Sequence, residues 1–325
     1  MKKLLFIYIL LLMTLLASSV IAEKPTGGYA GSFLQIPIGA RPSSMGGAYI
    51  GLANDGAGPF YNPAGISNLQ MKMFATAYRT MQFDRKLGYM TLLFPAKNNS
   101  VIGINWLYAG SGAVAGRNQD GDLTGDDYSF NNHDIGIVFS KRFTPKYAMG
   151  AKFSYLQASL GDLTSFSVSF DFGFMIYVSQ FIDREKRDLV AVQDIQIGLV
   201  FRNFAANYRW DTGDFGNSSI GIIQEDKVPL EGGLGVSARL LDRKLLLAVD
   251  AVYNEEQESR FLFGSEYFMT PEFALRAGFT EGSNLTFGTG YVFQLGNSAF
   301  AIDYAFSTQK EDINSEHIFS FDFLF

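Results

Sequence analysis

The sequence predicts an all-β protein, a 14-stranded antiparallel transmembrane β-barrel whose N-terminal segment folds into the lumen as a plug. Three observations lead there. Beyond residue 70, large apolar residues alternate with small or polar ones in run after run, a period of two that strands show and helices do not. The runs number fourteen, an even count like that of single-chain bacterial barrels. After residue 22 nothing approaches the ~20 apolar residues of a spanning helix, which leaves a closed barrel as the other way to satisfy the backbone in lipid.

Composition narrows the class further. Of 325 residues, 47% are apolar and 18% charged, with 31 Phe, 34 Gly and no Cys. That apolar content excludes a disordered chain, and the missing cysteines exclude a disulfide scaffold or a thiolate metal site. A net charge of −6 argues against nucleic acid as a partner, because phosphate contacts need clustered Lys and Arg.

Residues 1–22 read as a signal peptide. Met1-Lys2-Lys3 is basic, Leu4 to Leu16 is almost wholly apolar, and Val20-Ile21-Ala22 offers a small-residue cleavage site. A membrane anchor is the alternative, but the apolar stretch is short for a span. Residues 23–70 are the plug segment, dense in Gly, Pro, Ala and Asn. Small residues allow close backbone approach, and Asn62-Pro63 starts a turn or helix. A periplasmic tail is the alternative, although the apolar content speaks against free disorder.

Residues 71–325 form the barrel, with strands over about 71–82, 86–94, 100–108, 133–141, 147–156, 166–177, 195–204, 228–240, 245–253, 260–269, 273–279, 285–295, 299–306 and 317–325. Phe319, Phe321, Phe323 and Phe325 oppose Ser320 and Asp322; Phe166, Val168, Phe170, Phe172 and Phe174 oppose Ser167, Ser169, Asp171 and Gly173. A secreted β-sandwich would turn the bulky face inward and show Lys, Glu and Thr to water. Here the second face is Gly, Ala and Ser with isolated charges, so the bulky face is assigned to lipid. The first two strands are ambiguous in face. The inward set holds Lys152, Asp171, Arg202, Glu231, Arg239, Asp250, Glu266, Arg276, Asp303 and Asp322. These charges either pair with one another and with the plug, or mark an ion or substrate path.

Tight turns at 94–99, 143–146, 241–244, 270–272 and 296–298 alternate with long polar connections at 109–132, 205–227 and 307–316, as periplasmic turns alternate with extracellular loops. The connection 178–194, containing Asp183-Arg184-Glu185-Lys186-Arg187-Asp188, falls on the short-turn side. It is either a periplasmic excursion or the mark of a miscounted strand. In the loop 109–132, Asp120, Asp122, Thr124 and Asp126 stand at alternate positions with Gly125 at the sixth, as in a calcium loop. Asn131 replaces the bidentate Glu, so a solvated acidic loop is the simpler account. No cofactor is expected. His133 and His317 lie near strand ends, and neither His-Glu-x-x-His nor Gly-x-Ser-x-Gly occurs, so no enzyme is expected.

The run 40–67 resembles the N-terminal signature shared by FadL-type outer-membrane transporters and the PorV/PorQ family. Arg41, Met45-Gly46-Gly47-Ala48, Asn54-Asp55 and Asn62-Pro63-Ala64-Gly65 carry it. The resemblance implies a monomeric 14-strand barrel in the outer membrane of a Gram-negative-type bacterium, with this segment as its plug. FadL-type proteins carry hydrophobic ligands such as long-chain fatty acids. PorV-like proteins serve type IX secretion, escorting cargo to the cell surface. The compact length and modest loops look more like the PorV/PorQ branch. That branch implies a non-enzymatic secretion or surface-assembly accessory whose partners are outer-membrane lipid, secretion components and exported cargo. The alternative is a FadL-like passive transporter of hydrophobic or small solutes.

Overall fold

The computed structural model describes residues 29–118, 120–182, 191–211, 222–280, 284–308 and 315–325. The expected signal peptide, residues 23–28 of the plug segment and the charged run 183–188 lie outside the described residues. In chain order the strands are β1 (Met73–Thr80), β2 (Lys86–Ala96), β3 (Ser100–Gly110), β4 (Val114–Arg117), β5 (Leu123–Tyr128), β6 (Phe130–Thr144), β7 (Tyr147–Leu160), β8 (Leu163–Tyr177) and β9 (Gln193–Phe204). They continue as β10 (Asn207–Asp211), β11 (Ile223–Lys227), β12 (Glu231–Leu240), β13 (Leu245–Asn254), β14 (Arg260–Phe268), β15 (Phe273–Thr280), β16 (Asn284–Leu295), β17 (Ser298–Ser307) and β18 (Glu316–Leu324).

Fourteen of these close an antiparallel barrel, and β4–β5 and β10–β11 are separate hairpins within the two longest loops. Closure removes the edges that an open sheet would expose. β1 meets β18 from Met73–Leu324 to Thr80–His317. The terminal Phe325 completes the seam by exchanging backbone hydrogen bonds with Lys72 at 2.9 and 3.1 Å. Each predicted strand has its counterpart. β8 and β9 are antiparallel neighbours whose linked ends lie at the short-turn end, so the fourteen-strand count stands.

The two faces separate as the alternation requires. Phe166, Phe172, Phe287, Phe319 and Phe321 stand exposed on the outside, while Ser167, Ser169, Asp171, Ser320 and Asp322 are buried inside. Outward rings meet across strands, with Phe153 and Phe170 centred 5.1 Å apart and Phe300 and Phe321 6.1 Å apart. β2 is ambiguous in sequence because both its faces are bulky. Leu87, Tyr89 and Leu93 point inward and are buried. They join a core with Phe33, Ile38, Met45, Tyr49, Leu52, Phe60 and Ile66 of the N-terminal segment. That core sits inside the barrel, between segment and wall. Among the described residues the segment holds short helical turns at Ser32–Gln35, Ala40–Ser44, Gly58–Tyr61 and Gly65–Asn68.

Candidate functional site

Backbone packing sets the position of the N-terminal segment in the lumen. Inward glycines of the strands face its main chain, where a side chain would have no room. A Cβ on Gly264 would lie 2.6 Å from Cβ of Met45, and one on Gly278 would overlap the amide nitrogen of Gly46. Gly46 has φ +64°, a left-handed conformation that glycine adopts without strain, and a Cβ there would lie 2.6 Å from the carbonyl oxygen of Phe279. Its N–H donates to Thr286 Oγ1 at 3.0 Å, and that hydroxyl donates to the Ser44 carbonyl at 3.0 Å. Gly47, also at positive φ, follows directly. On the other side, Pro63 and Ala64 lie against Gly150. Asn62 donates from Nδ2 to the carbonyls of Ile50 (3.1 Å) and Phe174 (3.3 Å), and its Oδ1 accepts from Ala64 N–H at 3.0 Å. Gly65 packs on Ala53 just as tightly.

Charge completes the docking. Arg41 makes a bidentate pair with Glu266, from Nε at 2.9 Å and from Nη2 at 2.8 Å. Its Nη1 donates to Tyr49 Oη at 2.7 Å, Asn54 Oδ1 at 2.8 Å and Asp55 Oδ2 at 3.3 Å. Glu266 also accepts from Arg276 Nε at 2.7 Å, and Arg276 Nη1 reaches Asp303 Oδ1 at 2.5 Å. Burial pushes the Tyr49 phenol well above its ordinary pKa, with Asp55 acting in the same direction. It therefore stays a neutral hydroxyl that donates to Asp55 while accepting from Arg41. Asp250 Oδ2 accepts the backbone N–H groups of Tyr49 and Ile50 at 2.6 and 2.7 Å.

The remaining inward charges form smaller groups. Lys152 bonds Asp134 at 2.6 Å, lies 3.9 Å from Asp171, and sits 4.9 Å from the Phe60 ring centroid. Arg202 and Arg260 share Glu231. Asp322 is buried, and its Oδ1 has no hydrogen-bond partner among the described residues. Arg239 stands apart at the short-turn end, 5.3 Å over the Phe268 ring. Sequence reading missed Asp134, Arg79, Arg260 and Glu316. Asp134 is in phase with small Gly136 and Arg79 with Ala75 and Ala77, a signal that could have found both. Glu316 precedes the last predicted strand by one residue.

At the loop-side end, segment and wall leave a cavity of about 370 Å³. Ile36, Pro37, Ile38, Ile50, Phe60 and Tyr61 line it from the segment; Arg79, Arg202, Val252, Arg260, Leu262, Glu316 and Ile318 line it from the wall. Arg79 pairs with Glu316 and donates to the Pro37 carbonyl at 3.2 Å. Arg202 donates to the Phe60 carbonyl at 2.8 Å. The Nε atoms of Arg79, Arg202 and Arg260 have no partner among the described residues.

Neither side motif reaches this site. Asp120 and Asp122 lie at the exposed β4–β5 tip, with Thr124 and Asp126 in β5; the Asp126 side chain lies outside the described residues. Among the described residues no three His, Asp or Glu side chains converge on a metal position. His133 and His317 face outward, hydrogen-bonded to Trp106 (3.1 Å) and Tyr304 (2.7 Å).

No family model matches the sequence, and no curated protein matches it. Solved structures do match the fold. The toluene transporter TodX of Pseudomonas putida superposes with a TM-score of 0.63 at 13% identity, covering 89% of this chain and 98% of its own. The toluene transporter TbuX of Ralstonia pickettii gives 0.62 at 12% identity, with the same coverages. A FadL homologue of Pseudomonas aeruginosa gives 0.57 at 10% identity, covering 89% of this chain and 98% of its own. At such identities the likeness is one of architecture: the chain, a closed fourteen-strand barrel, shares the fold of these structures.

Proposed function

We propose that the chain is an outer-membrane transporter that passes solutes with an apolar body, and that residues 29–70 close its lumen and govern passage. The observation that carries this reading is the cavity of about 370 Å³ between segment and wall at the loop-side end, in a barrel whose fold is that of toluene transporters. The export signal expected at residues 1–22 and the aromatic outer face support the outer-membrane location. Entry would be at the loop-side cavity, and the docked segment is the barrier below it. The secretion-accessory reading implied by the PorV/PorQ resemblance ranks second, because the structures that share this fold are described as transporters.

Reconstituted proteoliposomes test the proposal. Uptake of toluene should exceed that of protein-free vesicles and rise when Gly278→Val displaces the segment. Uptake at the protein-free level in both proteins would overturn it.

A further inference from the structure

We propose that the loop-side cavity binds a compact organic anion, a carboxylate on an aromatic or short aliphatic body, through the guanidinium groups of Arg79, Arg202 and Arg260. The inference rests on the transporter reading and adds the chemistry of the ligand. Four arginines line the cavity, Arg79, Arg85, Arg202 and Arg260, and the carboxylates paired with them are Glu316 and Glu231. Four positive against two negative leaves an excess of two positive charges.

Geometry supports the same ligand. Arg79 is 7% exposed, and its Nε, like those of Arg202 and Arg260, is buried and has no acceptor among the described residues. A small turn of the side chain toward a bound anion would therefore satisfy a donor that now has no partner. Arginine does not lose its proton in proteins, so these remain donors. A carboxylate offers two oxygens to such donors in the geometry that guanidinium groups prefer. A neutral hydrocarbon would strip water from the same guanidinium groups and return no hydrogen bond. The apolar body has its own surface in Ile36, Ile38, Ile50, Phe60, Leu262 and Ile318. A volume of about 370 Å³ is at the small end of ligand pockets, which favours a compact body. Glu231 and Glu316 hold the guanidinium groups in place and temper their charge, so that a bound anion can exchange.

Equilibrium dialysis of the full mature chain in detergent tests this with labelled benzoate, toluene, palmitate and sulfate. Benzoate should bind saturably and at least about tenfold more tightly than toluene or sulfate. Arg79→Lys and Arg260→Lys keep the charge and the glutamate pairing but remove the guanidinium fork, and each should weaken benzoate about tenfold. Gel mobility of unheated samples verifies that the variants are folded. Toluene binding as tightly as benzoate overturns the proposal, as does wild-type benzoate affinity in the folded lysine variants. Palmitate outcompeting benzoate overturns the compact body, and sulfate matching benzoate overturns the organic one. The two readings fail separately. Vesicle uptake of toluene without benzoate binding sinks this inference alone, whereas benzoate binding with toluene uptake no greater than in protein-free vesicles sinks the transporter reading.

Discussion

Arg41 and Arg276 sit where the N-terminal segment packs on the wall; Arg79, Arg202 and Arg260 line the cavity between the two, with Arg79 and Arg202 still touching the segment at the Pro37 and Phe60 carbonyls. At the contact, Arg41 donates from all three nitrogens, and its carboxylate partner Glu266 is shared with Arg276. At the cavity, each guanidinium keeps a glutamate contact but leaves its Nε without an acceptor. Charges inside one lumen thus serve two ends. A network closed on itself fixes a segment, because removing any member strands a buried charge. A network left open holds buried donors without acceptors beside a space that a ligand can enter.

The sharpest way to break this comparison is Glu266→Ala. It leaves Arg41 and Arg276 buried without their common carboxylate and should cost about 3–5 kcal/mol in urea unfolding of the refolded barrel. A cost below ~1 kcal/mol would mean that the network does not hold the segment. Next in size is an arginine on the other side of the same wall. Ile137 is 59% exposed on the outer face of β6, and Ile137→Arg should cost about 2–4 kcal/mol in a bilayer, having neither partner nor water near the midplane. A neutral result would mean that this face does not meet acyl chains. Gly278→Val overfills the contact with Gly46 and should cost about 1–3 kcal/mol. It should also open residues 41–65 to limited proteolysis while the barrel stays folded, which mass spectrometry of the fragments would register. Smallest is Arg260→Lys, which keeps the pairing with Glu231 and should change stability by under ~1 kcal/mol. Its effect belongs to ligand binding, and a loss comparable to that of Glu266→Ala would erase the distinction between the two arginine sets.

Much of the architecture is legible in the residues. The alternation about Phe166–Ile176 and Ile318–Phe325 assigns the outer face before any fold is known, because a strand's side chains have only two directions. Hairpin symmetry makes some lumen pairs legible as well. Glu266 and Arg276 lie at equal distances from the turn between β14 and β15 and become ladder partners. Lys152 and Asp171 do the same across the turn between β7 and β8. β2 resists such reading, since Tyr89 and Leu93 face the segment's own apolar core instead of a polar interior.

By itself, then, the order of residues determined the strand count, the outward face and the short-turn end, all of which follow from local periodicity and turn length. Only the tertiary structure decided that Arg41 meets a carboxylate 225 positions away, that the strand glycines serve as a bed for another main chain, and that three arginines from distant strands share one cavity. The physical reason is closure. Period and turn length fix each strand relative to its neighbour, but which side chains meet across the lumen depends on the register summed around the ring and on how a segment without repeating pattern folds inside it.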